Sequence, residues 1–240
     1  MNSLRHLLTI ALAATLLMLP LQAQNRRRAQ EKWEVSFTTG WTESSDEAFP
    51  TSSLDGVKNV DVDVNGGATF AFSVTDHVAR SVGFELEYAL SDHDSAFFGL
   101  SSALPALDVK QRLHRISYNA VLYPAGRQGR LRPFALVGAG ATYFQTSTDQ
   151  ETLALQNNVD LRSRWEWMYN FGGGVKWFLN QRWALRFDVR NYVVNAPDFG
   201  LPRQDQSNGN GQLVPGLRPE GDFRHLYFGA GFTYSLPGRP

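Results

Sequence analysis

The sequence contains no cysteine and no excess of charge of either sign. Without cysteine there can be no disulfide framework and no lipid on an N-terminal cysteine, so an exported chain must be stabilised by hydrogen bonding and packing. Lysine plus arginine and aspartate plus glutamate each total 23. Since there is also no basic stripe with interleaved aromatic residues, the composition argues against a nucleic-acid partner.

Long hydrophobic runs are missing after the first 23 residues. Residues 1–23 have a short basic start at Arg5 and His6, an apolar core over 7–19, and Ala23 at the expected cut, which predicts a cleaved signal peptide. The 217 residues that follow (240 minus 23) fit one domain, 24–240. The negative mean hydropathy is compatible with a membrane barrel, because only half of each strand would face lipid.

What the chain does have is alternation with a period of two, most clearly over residues 60–74. This run exceeds the roughly 5–6 residues of an ordinary soluble strand. It matches the roughly 9–11 residues that a tilted strand needs to cross a bilayer. Comparable runs predict an all-β fold, an eight-stranded antiparallel up-and-down transmembrane barrel, with strands at about 32–42, 60–74, 79–91, 110–123, 133–145, 164–178, 182–194 and 224–236.

The predicted connections alternate between long and short. The long ones cover residues 43–59, 92–108, 146–162 and 196–222, and the others are short turns. Outer-membrane barrels have short periplasmic turns and long external loops, and an even strand count puts both termini in the periplasm. The pattern therefore predicts one external end that consists of long loops.

Closure into a barrel gives the polar strand faces a shared interior. Backbone groups facing lipid cannot remain unpaired, so the sheet must close, and eight strands enclose a space that side chains fill. We expect the inward charges, including Asp61 and Asp63, to pair inside this lumen. The fifth strand has small residues on both faces, so its facing is not assigned. The predicted lumen charges of the other strands are Glu34, Glu85, Glu87, Arg115, Glu166, Lys176, Arg186, Asp188 and Arg190.

The last strand supports a more specific interpretation. Tyr227, Gly229, Phe232 and Tyr234 have the spacing of a polar residue, a glycine and two aromatics that closes the final strand in the OmpA-like outer-membrane β-barrel superfamily of Gram-negative bacteria. The whole mature chain resembles that superfamily. The resemblance implies an outer-membrane location, contact with outer-membrane lipid, and recognition of these four residues by the barrel-assembly machinery. It implies no single activity.

Candidate sites for catalysis or metal binding are weak. The histidines after residue 23 are His77, His93, His114 and His225, and no two of them have a metal-ligand spacing. Residues 61–66 begin like a calcium loop but have Phe72 at the twelfth position. A lipid-modifying enzyme would need His114 with Ser117, or His225, yet a spacing of three puts His114 and Ser117 on opposite sheet faces. We therefore predict no catalytic residue, metal or cofactor.

These observations predict a non-enzymatic barrel with a plugged polar lumen, which serves envelope structure or surface contact through its external loops. The alternatives are a narrow pore for small solutes, a lipid-modifying barrel enzyme, and a soluble secreted carrier of the lipocalin type. The carrier would have the reverse polarity, with an apolar interior. The six tryptophans are expected to form interfacial girdles rather than a sugar-stacking platform.

Overall fold

The structure, a computed structural model, describes residues 32–44, 61–64, 66–101, 104–146, 163–195, 206–207, 213–214 and 222–236. The predicted signal peptide and most of the long connections lie outside these residues. The strands are β1 (Trp33–Ser44), β2 (Asp61–Val64), β3 (Gly67–His77), β4 (Val82–Ser101), β5 (Leu104–Leu122), β6 (Leu131–Thr146), β7 (Arg164–Phe178), β8 (Trp183–Asn195), β9 (Gln206–Ser207), β10 (Leu213–Val214) and β11 (Asp222–Leu236).

Eight of these strands form a closed ring. In order around the ring they are β1, β3, β4, β5, β6, β7, β8 and β11, and β11 pairs again with β1. Every pairing is antiparallel. The predicted fold class is therefore confirmed: the chain forms an eight-stranded antiparallel up-and-down barrel.

The outer surface of the ring is apolar. Among the described residues, no helix is long and apolar enough to cross a membrane. An apolar surface of this extent is not found on ordinary soluble proteins. It rules out the lipocalin alternative, whose apolar residues would line the interior. Outward aromatic residues include Trp33, Phe37, Trp41, Phe70, Phe72, Tyr88, Tyr118, Trp165, Trp167, Tyr169, Phe171, Trp177, Trp183, Phe187, Phe228 and Phe232.

The two ends of the barrel differ. At one end lie the short connections 78–81, 123–130 and 179–182, together with the start of β1 and the end of β11, where Trp33 pairs with Leu236. We call this the turn end, and the opposite end the loop end. In the second connection Gly126 has a φ of 69°, a left-handed conformation that glycine adopts without strain.

The predicted second strand, 60–74, is interrupted. Val64 pairs with Ser95 of β4 whereas Thr69 pairs with Ser91, so five steps along one strand match four along its partner. This extra residue is a β-bulge, and such a bulge offsets the alternation on its two sides by one position. The single alternation predicted over 60–74 is therefore not continuous, and the inward placement of Asp61 and Asp63 stays a prediction. Their side chains lie outside the described part of the structure.

The predicted long connection at 92–108 is also wrong. Strands β4 and β5 continue through it and remain paired as far as Phe98 with Ala106 and Ser101 with Leu104. The hairpin has strands of 20 and 19 residues, against 11 in β3, so it extends beyond its neighbour at the loop end. Alternation of polar and apolar residues marks the strand segments that face lipid. It does not predict the paired segment at 92–108, because strand pairing needs only backbone hydrogen bonds.

Strand β6 acquires a definite facing. Phe134, Leu136, Thr142 and Phe144 are buried inside, and Val137 on the other face is exposed. The sequence left this facing unassigned because glycines and alanines occupy the middle of the strand. The inward positions 138 and 140 are glycines, and a Cβ on Gly140 would lie 1.9 Å from the Ile116 carbonyl oxygen of β5. The small residues therefore allow close backbone approach.

The outward tryptophans predict a fluorescence result. All six tryptophans are exposed on the barrel's outer face. For the folded protein in bilayers, we expect brominated lipids to quench most tryptophan emission and acrylamide to quench little of it, because the rings lie against acyl chains and the interface. The urea-unfolded chain without lipid serves as the control, in which acrylamide should quench strongly. Efficient acrylamide quenching of the folded protein, without lipid quenching, would contradict the outward placement.

Candidate functional site

The interior of the barrel is polar, and its charges are gathered at three levels between the turn end and the loop end. Eight of the nine predicted lumen charges are buried, and Glu166 is partly buried. They lie on strands from around the ring, so each level is assembled by tertiary contacts. The residues that the sequence proposed as lumen charges are therefore the candidate site.

The middle level is a network around Arg186 of β8. The Arg186 guanidinium donates to Glu85 of β4, with an Nη1–Oε2 distance of 2.7 Å, and to Asp188 through Nε at 2.9 Å. It also donates to the hydroxyl oxygens of Ser36 and Ser73 at 3.1 and 3.2 Å. Strands β8 and β4 are four positions apart in the ring of eight, so the Arg186–Glu85 pair crosses the full width of the lumen.

Arg190 extends this network toward the loop end. Its Nη2 atom is 3.0 Å from Glu85 and its Nη1 atom is 2.5 Å from Glu87. Glu87 also accepts a 2.8 Å hydrogen bond from the Tyr192 hydroxyl. Charge-assisted bonds of this kind are the stronger class, and they satisfy carboxylates that would otherwise be buried at great cost.

The level nearest the turn end is centred on Glu34 of β1. Its carboxylate is 2.5 Å from the Lys176 ammonium of β7, 3.2 Å from the His77 ring and 3.6 Å from Arg132 of β6. Lys176 additionally donates to the Tyr123 hydroxyl at 3.0 Å. The Phe178 ring packs against the Arg132 guanidinium, and the guanidinium carbon is 3.6 Å from the ring centroid. A carboxylate, three basic side chains and aromatic rings thus fill this end of the lumen.

The level nearest the loop end has a different composition, which we call the loop-end polar cluster. It contains one guanidinium and two imidazoles and no carboxylate from the described residues within ion-pairing distance of Arg115. The Arg115 Nη2 atom donates to the Ser91 hydroxyl at 2.5 Å. The rings of His93 and His225 have centroids 5.6 Å apart. The cluster consists of Ser44, Ser91, His93, Gln111, Arg115 and His225.

The structure separates the residues considered for catalysis. His114 is on the outer face, where its ring nitrogens contact the Tyr88 hydroxyl at 2.7 Å and the Gln145 amide oxygen at 2.9 Å. Ser117 is buried on the inner face, as the spacing of three requires. His225 is inside the lumen with Ser44 rather than at the lipid-facing rim. Among the described residues, no group of three or more potential metal-binding side chains occurs.

The predicted assembly residues occupy two faces of β11. Tyr227 is buried and its hydroxyl donates to Thr38 at 2.9 Å, whereas Phe232 is exposed and Tyr234 partly so. Tyr227 bends over Gly229: a Cβ added there would lie 1.9 Å from the tyrosine oxygen. The glycine thus provides the space that the inward tyrosine ring occupies, which is a known way of covering a glycine in a sheet. The role of these residues in assembly remains a prediction.

Several interior residues were missed by the sequence reasoning. Arg132 and His77 complete the turn-end level, but Arg132 lies at the start of a strand whose facing was unassigned and His77 was placed in a turn. Tyr192 of β8, whose hydroxyl donates to Glu87 at 2.8 Å, was also missed. The signal for Tyr192 was available, because it continues the inward positions 186, 188 and 190 of β8.

Comparison with known proteins agrees with this architecture. The family model for the outer membrane protein β-barrel domain matches residues 10–235. The chain belongs to this family. Membership in the family places the protein in the outer membrane of a Gram-negative bacterium. A comparison of the sequence with curated proteins found no match.

Solved structures show the same fold at low sequence identity. OprG from Pseudomonas aeruginosa is 15% identical, with a TM-score of 0.57 over 87% of this chain and 97% of OprG. Neisserial surface protein A is 9% identical, with a TM-score of 0.51 over 85% and 97% of the two chains. AlkL, solved in DMPC bilayers, is 17% identical, with a TM-score of 0.50 over 91% and 97%. Likeness at such identities concerns the fold alone.

The middle network predicts a large effect of Arg186→Ala. The substitution leaves buried carboxylates of Glu85 and Asp188 without their main partner, and breaking a buried pair costs about 3–5 kcal/mol. Urea unfolding in detergent measures the loss. Arg112→Ala is the matched control, because Arg112 pairs with Asp92 at 2.7 Å on the exposed outer face. Equal losses for the two variants would contradict the importance of the internal network.

The covered glycine predicts a steric effect of Gly229→Ala. The added methyl group must displace the Tyr227 ring and its hydrogen bond to Thr38, and overpacking of this kind costs about 1–3 kcal/mol. The free energy of unfolding in detergent is the measurement. Ala230→Val, which adds bulk at the next residue but on the exposed outer face, is the control and should change it less. If Gly229→Ala were as stable as wild type, the tyrosine would not depend on this space.

Proposed function

We propose that this protein is a non-enzymatic outer-membrane barrel with a closed lumen, which serves envelope structure or surface contact through its external loops. The single observation that carries the proposal is the Arg186–Glu85 ion pair. It joins strands on opposite sides of the ring, and both side chains are about as inaccessible as core residues, each 1% exposed. A pore through this level would have to separate these two charges.

The other interior levels support closure. Arg132 and Glu34 also join strands four positions apart, at 3.6 Å, and Lys176 reaches the same carboxylate from β7. The Tyr192–Glu87 hydrogen bond and the Arg190–Glu87 ion pair also cross the lumen. A barrel of eight strands has an interior just wide enough for side chains to fill, so these contacts leave little room for solute flow. The narrow-pore alternative would require the same charges to stand apart.

Surface contact is proposed for the loop end. The β4–β5 hairpin extends there, and the remaining long connections join strands at the same end. In outer-membrane barrels the long connections face outside the cell. The expected partners are outer-membrane lipid around the apolar face and the barrel-assembly machinery during biogenesis. Function at the surface would then depend on the shape of the loop end, with the barrel as its anchor.

Single-channel recording tests the closed lumen. The wild-type protein in planar bilayers is expected to give no steady conductance, because the middle network blocks the path. The double variant Arg186→Ala with Arg190→Ala removes both cations from this level and leaves three carboxylates, so it should pass cations intermittently. Arg112→Ala, on the outer face, should be as silent as wild type. Large uniform steps from the wild-type protein would overturn the proposal.

The absence of enzymatic activity has its own test. The His114 ring nitrogens contact the Tyr88 hydroxyl and the Gln145 amide oxygen on the outer face, and neither contact is the serine or carboxylate of a catalytic triad. We therefore expect the mass spectrum of lipid A to be the same in cells with and without the protein. A new lipid A species that disappears in His114→Ala cells would show a lipid-modifying enzyme instead.

A further inference from the structure

The loop-end polar cluster contains three buried side chains with nitrogen atoms that have no hydrogen-bond partner among the described residues. They are Nε and Nη1 of Arg115, Nε2 of Gln111 and Nε2 of His225. The residues are 1%, 6% and 2% exposed. Buried polar atoms are nearly always paired, and an unpaired charged group is the most costly case. Three such groups at one level point to a ligand that accepts hydrogen bonds.

These three side chains surround the same neighbour. Gln111 lies directly opposite His93 in the β4–β5 pairing, and Arg115 Nη2 is 3.5 Å from Nε2 of His93. The His225 ring is 5.6 Å from the His93 ring, centroid to centroid. Strand β5 thus places Arg115 and Gln111 beside His93, and β11 places the His225 ring next to it. The donors belong to one site rather than to scattered positions.

The charge of the site favours an anion. Among the described residues, no carboxylate lies within ion-pairing distance of Arg115. Glu87 is held by Arg190 at 2.5 Å and by the Tyr192 hydroxyl, and the Tyr192 ring is 4.6 Å from the Arg115 guanidinium carbon. Glu166, which is in register with Arg115 two strands away, has an interaction partner of its own. A metal cation at this level would meet a buried positive charge. An anion would instead satisfy it.

The hydrogen-bond pattern specifies how the imidazole of His225 would take part. Its Nδ1 atom is 2.7 Å from the Ser44 hydroxyl, which can donate to it. When Ser44 donates, the ring proton of His225 is on Nε2, the atom without a partner. The same ring can then donate to an anion beside Arg115 and Gln111. All three groups act as donors in this arrangement.

We propose that the loop end of the lumen binds a small oxyanion, a phosphate or a carboxylate group, through Arg115, Gln111 and His225. Guanidinium, amide and imidazole N–H groups are all donors to oxyanions, and the charged bond to Arg115 is the strongest of them. The Arg186 network below the site prevents the anion from crossing the barrel. The site is therefore a binding site at the loop end and does not require a conducting lumen.

The test uses the full mature protein refolded in a phosphate-free non-ionic detergent. The probes are inorganic phosphate and acetate, with chloride at matched ionic strength as the reference. The measurements are calorimetric binding and the ¹⁵N chemical shift of His225 Nε2. We expect saturable binding of at least one oxyanion and movement of the His225 signal, and comparison of the two probes decides between phosphate and carboxylate. Neither response to either probe would overturn the proposal.

Two pairs of variants tie the result to the site. Arg115→Gln and His225→Gln should each weaken binding by about tenfold or more, the scale of one charge-assisted hydrogen bond. Arg112→Gln and His114→Gln change the same residue types on the outer face of β5, and they should bind like wild type. Equal weakening in all four variants would overturn the assignment. If Arg115→Gln does not fold, Arg115→Lys takes its place in the test. It keeps the charge and should retain part of the binding.

Discussion

The structure depends on one constraint: in a bilayer, every backbone N–H and C=O of a sheet must find a partner within the sheet. Eight long strands meet it by closing into a ring in which β1 pairs with both β3 and β11. Closure then determines two environments for side chains. Alternate residues face either acyl chains or a narrow interior, and no residue of these strands can move from one to the other without a shift in register.

The narrow interior explains why the ion pairs cross it. Charges inside an eight-stranded ring have little water to solvate them, so each needs an opposite charge or a hydrogen-bond partner on a facing strand. Arg186 with Glu85 and Arg132 with Glu34 both join opposite sides of the ring. Such pairs favour one strand register over its neighbours, because a one-residue slip would bring charges toward lipid. The loop-end polar cluster differs, since its guanidinium has no carboxylate partner among the described residues.

Much of the barrel could be predicted from alternation alone. Strand β7 was predicted with the bounds that the structure has, 164–178, and its tryptophans face outward. The inward facing of Lys176, Arg186 and Arg190 followed from the same pattern. These features are local, because a strand residue faces the same side as the residues two positions before and after it. The less regular segments were predicted less well, because the β-bulge after β2 and the paired hairpin at 92–108 depend on the partner strand.

The sequence by itself determined the fold class, the strand count, the sidedness of the turns and the facing of most strands, since lipid imposes a period of two on every strand that crosses it. Only the tertiary structure decided the facing of β6, the height of the β4–β5 hairpin and the partner of each internal charge. Arg132 meets Glu34 across the lumen and His77 meets it from the adjacent strand β3, although both are distant from Glu34 in the chain. Such contacts depend on ring closure and strand register. These bring together residues that are far apart in the chain, so the local sequence pattern does not predict them.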